Sequence, residues 1–359
     1  MTDEGPESQL PRATGARGRA SGRPTIFDVA RVSGVSYSTV SRVVNGLPNI
    51  RPETRRRVEA AMAELGYVAH LSARALATGR SNQIGLLVQQ LEDFFFLGIV
   101  AGVDRAVMAA GYDLLLCTTH DRREKETAYV ARLTHGMVDG LLVLMPRSLP
   151  DYLDGLLASR TPFVLIDYDE GAPGCDVVNA ANRDGAHAAV AHLVALGHRR
   201  IAIVTGAPET GSTHERVAGW RDALLQTGLP APDALQVPGD FEEVRGCQAA
   251  HELLALPEPP SAIFASNDRA AFGVLRAARE RGLRVPDDLS VVGFDDEPAA
   301  AHTGPGLTTV RQPLREMGTV GVERLLARMR HPDAPAELVL LPTELVVRGS
   351  TGPVPHAGG

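Results

Sequence analysis

The sequence has few aromatic residues, few cysteines and no long apolar run. Aromatic side chains make up 4% of the 359 residues, and the three cysteines are Cys117, Cys175 and Cys247. Because these cysteines are far apart, they form neither a disulfide framework nor a CxxC metal or redox pair, and we expect buried free thiols. No stretch reaches the roughly 18 apolar residues of a membrane-spanning helix, and residues 1–23 lack the apolar core of a signal peptide. These absences predict a protein that stays in the cytoplasm and has no membrane partner.

The motifs of several common enzyme classes are also missing. The chain contains no GxGxxG or GxxxxGK[ST] loop for a nucleotide, and no HExxH or GxSxG motif for hydrolysis. We therefore predict no catalytic site, no metal site and no cofactor. An enzyme that acts on sugars is the alternative from another class, and turnover of candidate sugars would reveal it.

The charge is distributed unevenly along the chain. Residues 1–80 hold 12 arginines and 7 acidic residues, a net charge of +5, whereas the other 279 residues hold 24 basic and 36 acidic residues, a net charge of −12. A basic segment on an acidic body is expected when a small part of the chain contacts a polyanion. A solvated surface is the plainer alternative.

Residues 24–70 have the pattern of three short helices. They follow a leader, residues 1–23, whose Gly, Arg, Ser and Pro content predicts disorder. Each helix has residues that favour its start and its end. The starts are marked by Thr25, Ser36 and Pro52, and the ends by Gly34, Asn45 and Gly66. The tight turn at residues 33–35 predicts an all-α helix-turn-helix domain.

The rest of the chain, after a linker at residues 71–80, alternates short apolar runs with helical segments. The apolar runs that predict buried strands are 84–88, 113–117, 140–144, 163–166, 201–204, 262–265 and 289–292. The helical segments include 99–110, 185–196, 215–226, 243–256 and 270–281. This alternation predicts an α/β region over residues 81–350 with two doubly wound parallel-sheet subdomains, followed by a tail at 351–359. In such sheets ligands bind beyond the carboxyl ends of the strands.

The second predicted helix has the side chains of a DNA-reading helix. Tyr37, Ser38 and Arg42 lie opposite its apolar stripe, so they can reach base edges in the major groove. An arginine fork at Arg42 can bridge two acceptors of guanine. Hydroxyl and amide groups suited to phosphate oxygens come from Ser36, Thr39, Ser41 and Asn45. A helical domain that binds protein instead is the alternative.

The same residues carry a family resemblance. Residues 25–30 (TIFDVA), 35–46 (VSYSTVSRVVNG), 52–54 (PET) and 60–67 (AAMAELGY) resemble the headpiece of the LacI/GalR family of bacterial transcriptional regulators. The resemblance extends to about Arg348. It implies a homodimer whose two headpieces bind near-palindromic double-stranded operator DNA, attached to a two-lobed effector region of the periplasmic-binding-protein type. It also implies a small-molecule effector, a sugar or related polyol, and repression more often than activation.

The resemblance assigns further DNA contacts. Thr25 and Tyr67 occupy headpiece positions that contact DNA in the family, and residues 72–78 match a hinge helix that orders on specific DNA. Leu76 matches the leucine that this helix inserts into the minor groove, where unstacking allows the duplex to bend. The sequence departs from the family at Arg51, where a capping serine usually precedes Pro-Glu-Thr.

The resemblance also assigns an effector pocket in the α/β region. Its residues are Gln90, Phe95, Asp167, Arg216, Phe241, Asn267, Asp295 and Gln312. Carboxylates, amides and a guanidinium around an aromatic ring can bind sugar hydroxyls while the ring covers a C–H surface. The assignment of Gln90 and Phe95 is the least direct, because this chain departs there from the family pattern.

Several alternatives remain open for this region. Arg216 could only pair with Glu215 or a neighbouring acid, and Phe241 could belong to the core. Asn267 and Asp295 stand where helix N-caps would stand, so capping is the alternative for both. An exported sugar-binding protein would share the two sheets, but it would need an export signal and would lack the headpiece. We expect instead a two-state switch in which the effector reorients the lobes and thereby changes operator affinity.

Overall fold

The structure, a computed structural model, describes residues 24–45, 48–67, 80–168 and 174–354. The predicted leader, Leu76 with most of the predicted linker, and the end of the tail lie outside the described residues. The chain divides into two compact units, residues 1–79 and 80–359, which we call the headpiece and the body.

The headpiece contains three helices, α1 (Ile26–Ser33), α2 (Tyr37–Val44) and α3 (Pro52–Leu65). At the start of α1 the Thr25 side chain accepts from the Asp28 amide and the Asp28 carboxylate accepts from the Thr25 amide, which forms a capping box. Ser36 caps α2 by accepting from the amide of Thr39 at 3.2 Å. Gly34 ends α1 in the left-handed conformation, with φ 65°, as a tight turn requires.

The helices of the headpiece share a small apolar core. Its fully or largely buried members are Val29, Val40, Val43, Val58, Ala61 and Tyr67. Val40 and Val43 hold the inner face of α2 against α1 and α3, so the outer face of α2 is left to solvent. The fold expected for this segment is confirmed.

The body consists of two lobes, each built on a six-stranded sheet. The first lobe contains β1 (Gln83–Val88), β2 (Asp113–Thr118), β3 (Gly140–Leu144), β4 (Phe163–Ile166), β5 (Asp176–Ala180) and β11 (Leu338–Leu341), in the order β11-β5-β4-β3-β1-β2. The second lobe contains β6 (Ile201–Thr205), β7 (Gln236–Pro238), β8 (Ala262–Ala265), β9 (Ser290–Asp295), β10 (Thr308–Arg311) and β12 (Glu344–Val346), in the order β12-β10-β9-β8-β6-β7. All pairs are parallel except β10 with β12, which is antiparallel. The predicted doubly wound architecture is confirmed, with this one edge strand as the difference.

Helices alternate with the strands along the chain. The helices of the body are α4 (Phe94–Ala109), α5 (Arg123–Thr134), α6 (Leu149–Ala158), α7 (Asn182–Ala195), α8 (Gly211–Gln226), α9 (Glu243–Leu253), α10 (Asp268–Glu280) and α11 (Leu314–Arg330). Several begin earlier than the apolar pattern predicts, because their first turns carry polar or aromatic residues. No helix in the described ranges is long and apolar enough to cross a membrane.

The chain crosses between the lobes three times within the body. It leaves β5 for α7 at Ala181, returns from β10 to α11 at Gln312, and passes from β11 to β12 at residues 342–343. The Ala181 amide donates to the Leu341 carbonyl at 2.8 Å, so two of the crossing segments are hydrogen-bonded to each other. Parallel crossing segments of this kind form a hinge, about which two packed lobes can rotate as bodies.

Candidate functional site

The exposed face of α2 presents the side chains that were predicted to contact DNA. Tyr37, Ser38 and Arg42 are exposed, as is the capping residue Ser36. Thr39, Ser41 and Asn45 are half-buried, and the Asn45 amide donates to the Ser41 hydroxyl at 3.3 Å. The N-terminus of α2 is capped by Ser36 but lies at the surface, and the hydroxyl groups around it can donate to phosphate oxygens.

An aromatic pair stands beside this face. Phe27 and Tyr37 stack with their ring centroids 5.0 Å apart and their planes 19° apart, and they are 69% and 50% exposed. Sequence reasoning singled out Tyr37 but missed Phe27, because Phe27 lies on α1. An exposed aromatic ring next to the side chains that are predicted to contact base edges can itself contact the methyl group of a thymine.

Two headpiece residues outside α2, Thr25 and Tyr67, are less available to DNA than the exposed side chains of α2. Thr25 is exposed, but its hydroxyl is engaged in the capping box, where it donates to Asp28 at 2.8 Å. Tyr67 is only 9% exposed and packs in the headpiece core, so little of it is available to DNA. Arg51 precedes α3 without a side-chain cap. Leu76 lies outside the described residues.

A cleft between the two lobes of the body forms a cavity of about 560 Å³, including the part open to solvent. Its lining comes from the carboxyl ends of strands of both sheets, where ligands of doubly wound proteins bind. From the first lobe come Gln89, Gln90, Asp93, Phe95, Phe96, Asp121, Met145, Arg147 and Asp167. From the second lobe come Ser212, Arg216, Asp240, Phe241, Glu242, Asn267 and Asp295.

The cleft brings together seven of the eight predicted effector residues. Gln312 is the exception, since it does not line the cavity but donates from its amide to Asp295 at 2.7 Å. Gln312 lies at a crossing between the lobes and is 4% exposed. The hinge and the pocket are thus joined by one buried hydrogen bond.

Arg216 is held at the base of the second lobe. It is 3% exposed, donates to Asn182 at 3.0 Å and to the Ser266 carbonyl, and lies 3.8 Å from the centroid of the Phe294 ring. Its nearest charge partner is Asp295, at 3.9 Å. Burial lowers the pKa of the Arg216 guanidinium, although Asp295 opposes that shift.

Two buried carboxyl groups of the second lobe are hard to ionise. Burial raises the pKa of Asp295 well above its ordinary value, against the opposing effect of Arg216. Burial also raises the pKa of Asp268 to about 7, although Asp268 accepts from the Thr309 hydroxyl at 2.5 Å and the Glu297 amide at 2.8 Å.

Asn267 has two roles. Its carbonyl oxygen accepts from the Ala270 amide at 2.9 Å and so caps α10, as the alternative interpretation predicted. Its amide donates to the Phe241 carbonyl at 3.1 Å, and the residue also lines the cavity. Capping therefore positions this side chain at the cleft and does not exclude it from ligand contact.

Left-handed backbone is concentrated at the strand ends that line the cleft. Non-glycine residues with positive φ there include Asp121, Met145, Asp167, Asp240, Phe241 and Asp295. Such conformations are unfavourable and are typical of binding sites held by a rigid scaffold. A Cβ at Gly206 would lie 2.0 Å from the Phe241 ring, so the absence of a side chain there lets the ring pack against the backbone.

Cross-lobe ion pairs were not predicted from the sequence. Arg147 of the first lobe pairs with Glu209 of the second, and Arg269 of the second lobe donates to Asp93 of the first at 3.1 Å. The one available clue was that Asp93 and Arg147 each lie shortly after a predicted strand.

In the described part of the chain, one group of side chains could be considered for a metal ion. Cys247, His251 and Glu280 have donor atoms within 4.8 Å of one another. However, Arg281 donates to Nδ1 of His251 at 3.0 Å, so Nε2 carries the proton and donates to Glu280 at 2.8 Å. That ring therefore has no lone pair directed at the shared position, and the group does not fit a metal.

Comparison with known proteins finds one matching family in the headpiece and one in the body. Residues 25–70 match the family described as bacterial regulatory proteins, lacI family, and residues 190–351 match a periplasmic binding protein-like domain. The chain is 34% identical to the HTH-type transcriptional repressor PurR of Photobacterium profundum, over 91% of this chain and 98% of the relative. It is also 34% identical to the ribose operon repressor of Escherichia coli, over 91% of this chain and 99% of the relative.

A solved structure shows the same architecture. The lac repressor dimer bound to operator and the anti-inducer ONPF is similar with a TM-score of 0.82 and 33% identity, over 92% of this chain and 99% of that chain. Together with the relatives, this similarity confirms the family that the headpiece motifs indicated. The chain belongs to the lacI family of bacterial regulatory proteins and is a transcriptional regulator.

Proposed function

We propose that this regulator represses transcription by binding near-palindromic operator DNA as a homodimer, and that a sugar or related polyol bound in the cleft changes its operator affinity. The observation that carries the proposal is the convergence of Arg216, Asn267 and Asp295 with the Phe241 ring in one cleft of a chain that also has a helix-turn-helix headpiece. The proposed role needs no catalytic step, and it places the protein in the cytoplasm with the DNA.

In the proposed DNA complex, α2 lies in the major groove. Arg42 reads guanine with two parallel hydrogen bonds, while Tyr37 and Ser38 contact neighbouring base edges. Ser36, Thr39, Ser41 and Asn45 bind phosphate oxygens, Thr25 contacts DNA at the N-terminal end of α1, and the exposed part of Tyr67 supplies a minor contact. Leu76 is proposed to enter the minor groove from the linker.

The proposed effector contacts combine polar groups with an aromatic surface. Asp167 and Asp295 accept from ligand hydroxyls, while Arg216 and Asn267 donate to hydroxyl oxygens. Phe241 covers a C–H face of the ligand, with Phe95 on the opposite lobe. Gln90 adds an amide from the first lobe, and Gln312 acts through Asp295. This mixture suits a polyhydroxylated ring better than an apolar ligand.

Exposed apolar side chains on the body support the proposed dimer. Leu97 and Met108 are 46% and 70% exposed and lie eleven residues apart on α4, which places them on one helix face. Val244 on α9 of the second lobe is 58% exposed. Burying such residues against a second copy removes apolar surface from water in both lobes.

The proposed switch depends on a difference in affinity. A ligand that touches both lobes favours one lobe arrangement only if it binds that arrangement better than the other. Gln312 links Asp295 to a crossing segment, so ligand contact at Asp295 can bias the hinge. Operator DNA must then change effector affinity by the same factor, because the coupling is reciprocal.

Fluorescence anisotropy with DNA fragments from the protein's own promoter region tests the proposal. The measurement is made at fixed, stated salt because phosphate contacts make affinity strongly dependent on ionic strength. We expect one fragment to bind at least about 1,000-fold more tightly than bulk competitor DNA. We also expect a member of a panel of sugars to change that affinity. Equal binding to all fragments would contradict the proposal.

A further inference from the structure

We propose that the cleft accepts an uncharged polyhydroxylated effector and excludes anionic ones, including sugar phosphates and sugar acids. The inference rests on the proposed function and narrows the chemical class of its ligand. It follows from the balance of charges at the cavity wall and from the partners that its arginines already have.

Carboxyl groups outnumber guanidinium groups at the wall of the cavity. The six acidic residues are Asp93, Asp121, Asp167, Asp240, Glu242 and Asp295, and the two basic residues are Arg147 and Arg216. Both lobes contribute acids, and the cross-lobe pairs of Arg147 with Glu209 and of Arg269 with Asp93 use the arginine charge that an anionic ligand would need. Two further arginines behind the wall, Arg245 and Arg269, pair with Asp240, Asp93 and Glu242, so among the described residues the ion pairs of the wall leave no guanidinium group in excess.

The two arginines of the wall are already engaged. Arg216 is buried against the Phe294 ring and donates to Asn182 and the Ser266 carbonyl, with Asp295 beside it. Arg147 pairs with Asp121 at 3.6 Å and with Glu209 across the cleft. Arg147, whose charge is balanced by carboxylates, and Arg216, whose Nε and Nη1 already donate within the second lobe, offer little attraction to a phosphate or a ligand carboxylate.

A third arginine at the cleft is balanced in the same way. Arg269 donates to Asp93 at 3.1 Å and to Glu242 at 2.7 Å, so one guanidinium is shared by two carboxylates. Its position on the second lobe would otherwise suit an anion, but both of its terminal nitrogens have an acidic partner.

Two helix N-termini at the cleft are capped by side chains. The Phe95 amide in the first turn of α4 donates to the carboxylate of Asp93 at 2.9 Å, and Asn267 caps α10. A helix N-terminus that is capped by a carboxylate does not attract a second anion. Helix α8 begins at Gly211 without a side-chain cap, so its first amides can donate to a hydroxyl oxygen or to an anionic oxygen alike. Discrimination against anions therefore depends on the carboxyl groups of the wall and on the partners of its arginines.

Hydroxyl groups match this wall better than anions do. A hydroxyl can donate to a carboxylate and accept from an amide or guanidinium, whereas a phosphate oxygen or carboxylate can only accept. An anion in this cleft would place its acceptor atoms against the carboxylates, with unfavourable charge interactions in a partly desolvated site.

Isothermal titration calorimetry of the full chain with matched ligand pairs tests the inference. The pairs are ribose with ribose 5-phosphate, glucose with glucose 6-phosphate, and glucose with glucuronate. In the pair whose neutral member binds, we expect the anionic member to bind at least about 100-fold more weakly at the same pH and salt.

A double substitution, Asp121→Asn with Glu209→Gln, sharpens the test. Both side chains are exposed at the cleft, so replacing them by amides of similar size should be tolerated. The change frees Arg147 from its two acidic partners, and we expect the ratio of neutral to anionic affinity to fall at least about tenfold. Asp222→Asn is the matched control, because Asp222 pairs with Arg183 on the surface of the second lobe at 2.7 Å; there the ratio should stay unchanged.

The outcomes separate the inference from the proposed function. Tighter binding of an anionic member by the native chain, or an unchanged ratio in the double variant, overturns the inference but leaves a ligand-responsive regulator. Binding of neither member of any pair rejects the polyol pocket, and with it the inference.

Discussion

Arg269 joins the two lobes through Asp93. Its Nη1 donates to Oδ2 of Asp93 at 3.1 Å, while its Nη2 donates to Glu242 within the second lobe at 2.7 Å. The Asp93 side chain is 9% exposed and also caps α4, so the ion pair connects the start of a first-lobe helix to the start of α10. The arrangement of the lobes is therefore held partly by charge.

We expect Arg269→Ala to favour a more open arrangement of the lobes. The substitution removes a half-buried ion pair worth about 1 kcal/mol, so effector affinity should fall about fivefold. Small-angle X-ray scattering should show a larger radius of gyration for the ligand-free variant. Arg284→Ala is the matched control, because Arg284 pairs with Asp288 within the second lobe. Unchanged scattering and affinity would show that this pair does not hold the lobes.

Arg42→Ala is expected to abolish sequence preference while leaving weak binding to DNA. Loss of a bidentate contact to guanine costs about 1–3 kcal/mol of discrimination in each of the two subunits, whereas the phosphate contacts remain and keep the binding sensitive to salt. Competition binding with operator and unrelated DNA measures the preference. If the variant kept the sequence preference of the native protein, Arg42 would not contact a base.

Asp295→Ala should leave operator binding intact in the absence of effector and weaken the effector response. The substitution removes a ligand contact and also the acceptor of the Gln312 amide, so both binding and transmission to the hinge are affected. We expect effector affinity to fall at least about tenfold, as for loss of a buried hydrogen-bonded polar group. Anisotropy titrations with and without effector distinguish the two effects. An effector response equal to that of the native protein would show that Asp295 does not contact the effector.

The buried carboxyl of Asp268 should make the body less stable as the pH rises. Its pKa is raised from 3.8 to about 7, so between these values the folded state binds more protons than the unfolded state. Stability then decreases as pH rises through this window. Scanning calorimetry at pH 5 and pH 8 should show a lower Tm at pH 8.

Asp268→Asn removes one titrating group and keeps the acceptor for Thr309. We expect the difference in Tm between the two pH values to shrink by about 3 °C or more. Burial raises the pKa of Glu297 to about 7 as well, so part of the pH dependence should remain in the variant. An undiminished difference would mean that Asp268 ionises as in water.

Arg51→Ser should stabilise the headpiece. Arg51 precedes α3 without a side-chain cap, and a serine hydroxyl there can accept from an amide of the first turn. The expected gain is about 1 kcal/mol, seen as a higher Tm for the headpiece transition. Arg51→Ala separates capping from the loss of the arginine charge, and an equal gain in both variants would contradict the capping explanation.

The sequence predicts those site residues that follow a strongly apolar strand. Asn267 comes two residues after β8, and Asp295 ends β9, so the parallel-sheet rule alone places them at the cleft. Arg147 and Asp121 also follow parallel strands, so the same rule places them at the cleft. Their ion pairs, with each other and with Glu209 of the opposite lobe, cannot be predicted from that rule. The contact of Arg269 with Asp93 joins residues 176 positions apart, and no local pattern reveals it.

Strands with polar or short sequences escaped prediction. β5 (DVVNA) contains Asp176, which is fully buried because Arg324 and Arg328 of α11 pair with it at 3.1 and 2.9 Å. β7 and β12 have three residues each, and β11 is a partly exposed edge strand. Tertiary pairing rather than apolar periodicity determines these elements, so single-sequence patterns carry little information about them.

The three crossings of the hinge have a consequence for synthesis of the protein on the ribosome. The first lobe begins at residue 83 but needs α11 and the edge strand β11, which are translated more than 130 residues after β5. Nascent chains can therefore complete the headpiece early, whereas the first lobe is finished only when nearly the whole polypeptide has emerged. Premature termination after residue 311 would release a headpiece attached to an incomplete lobe with exposed apolar surface, a form that cellular proteases readily remove.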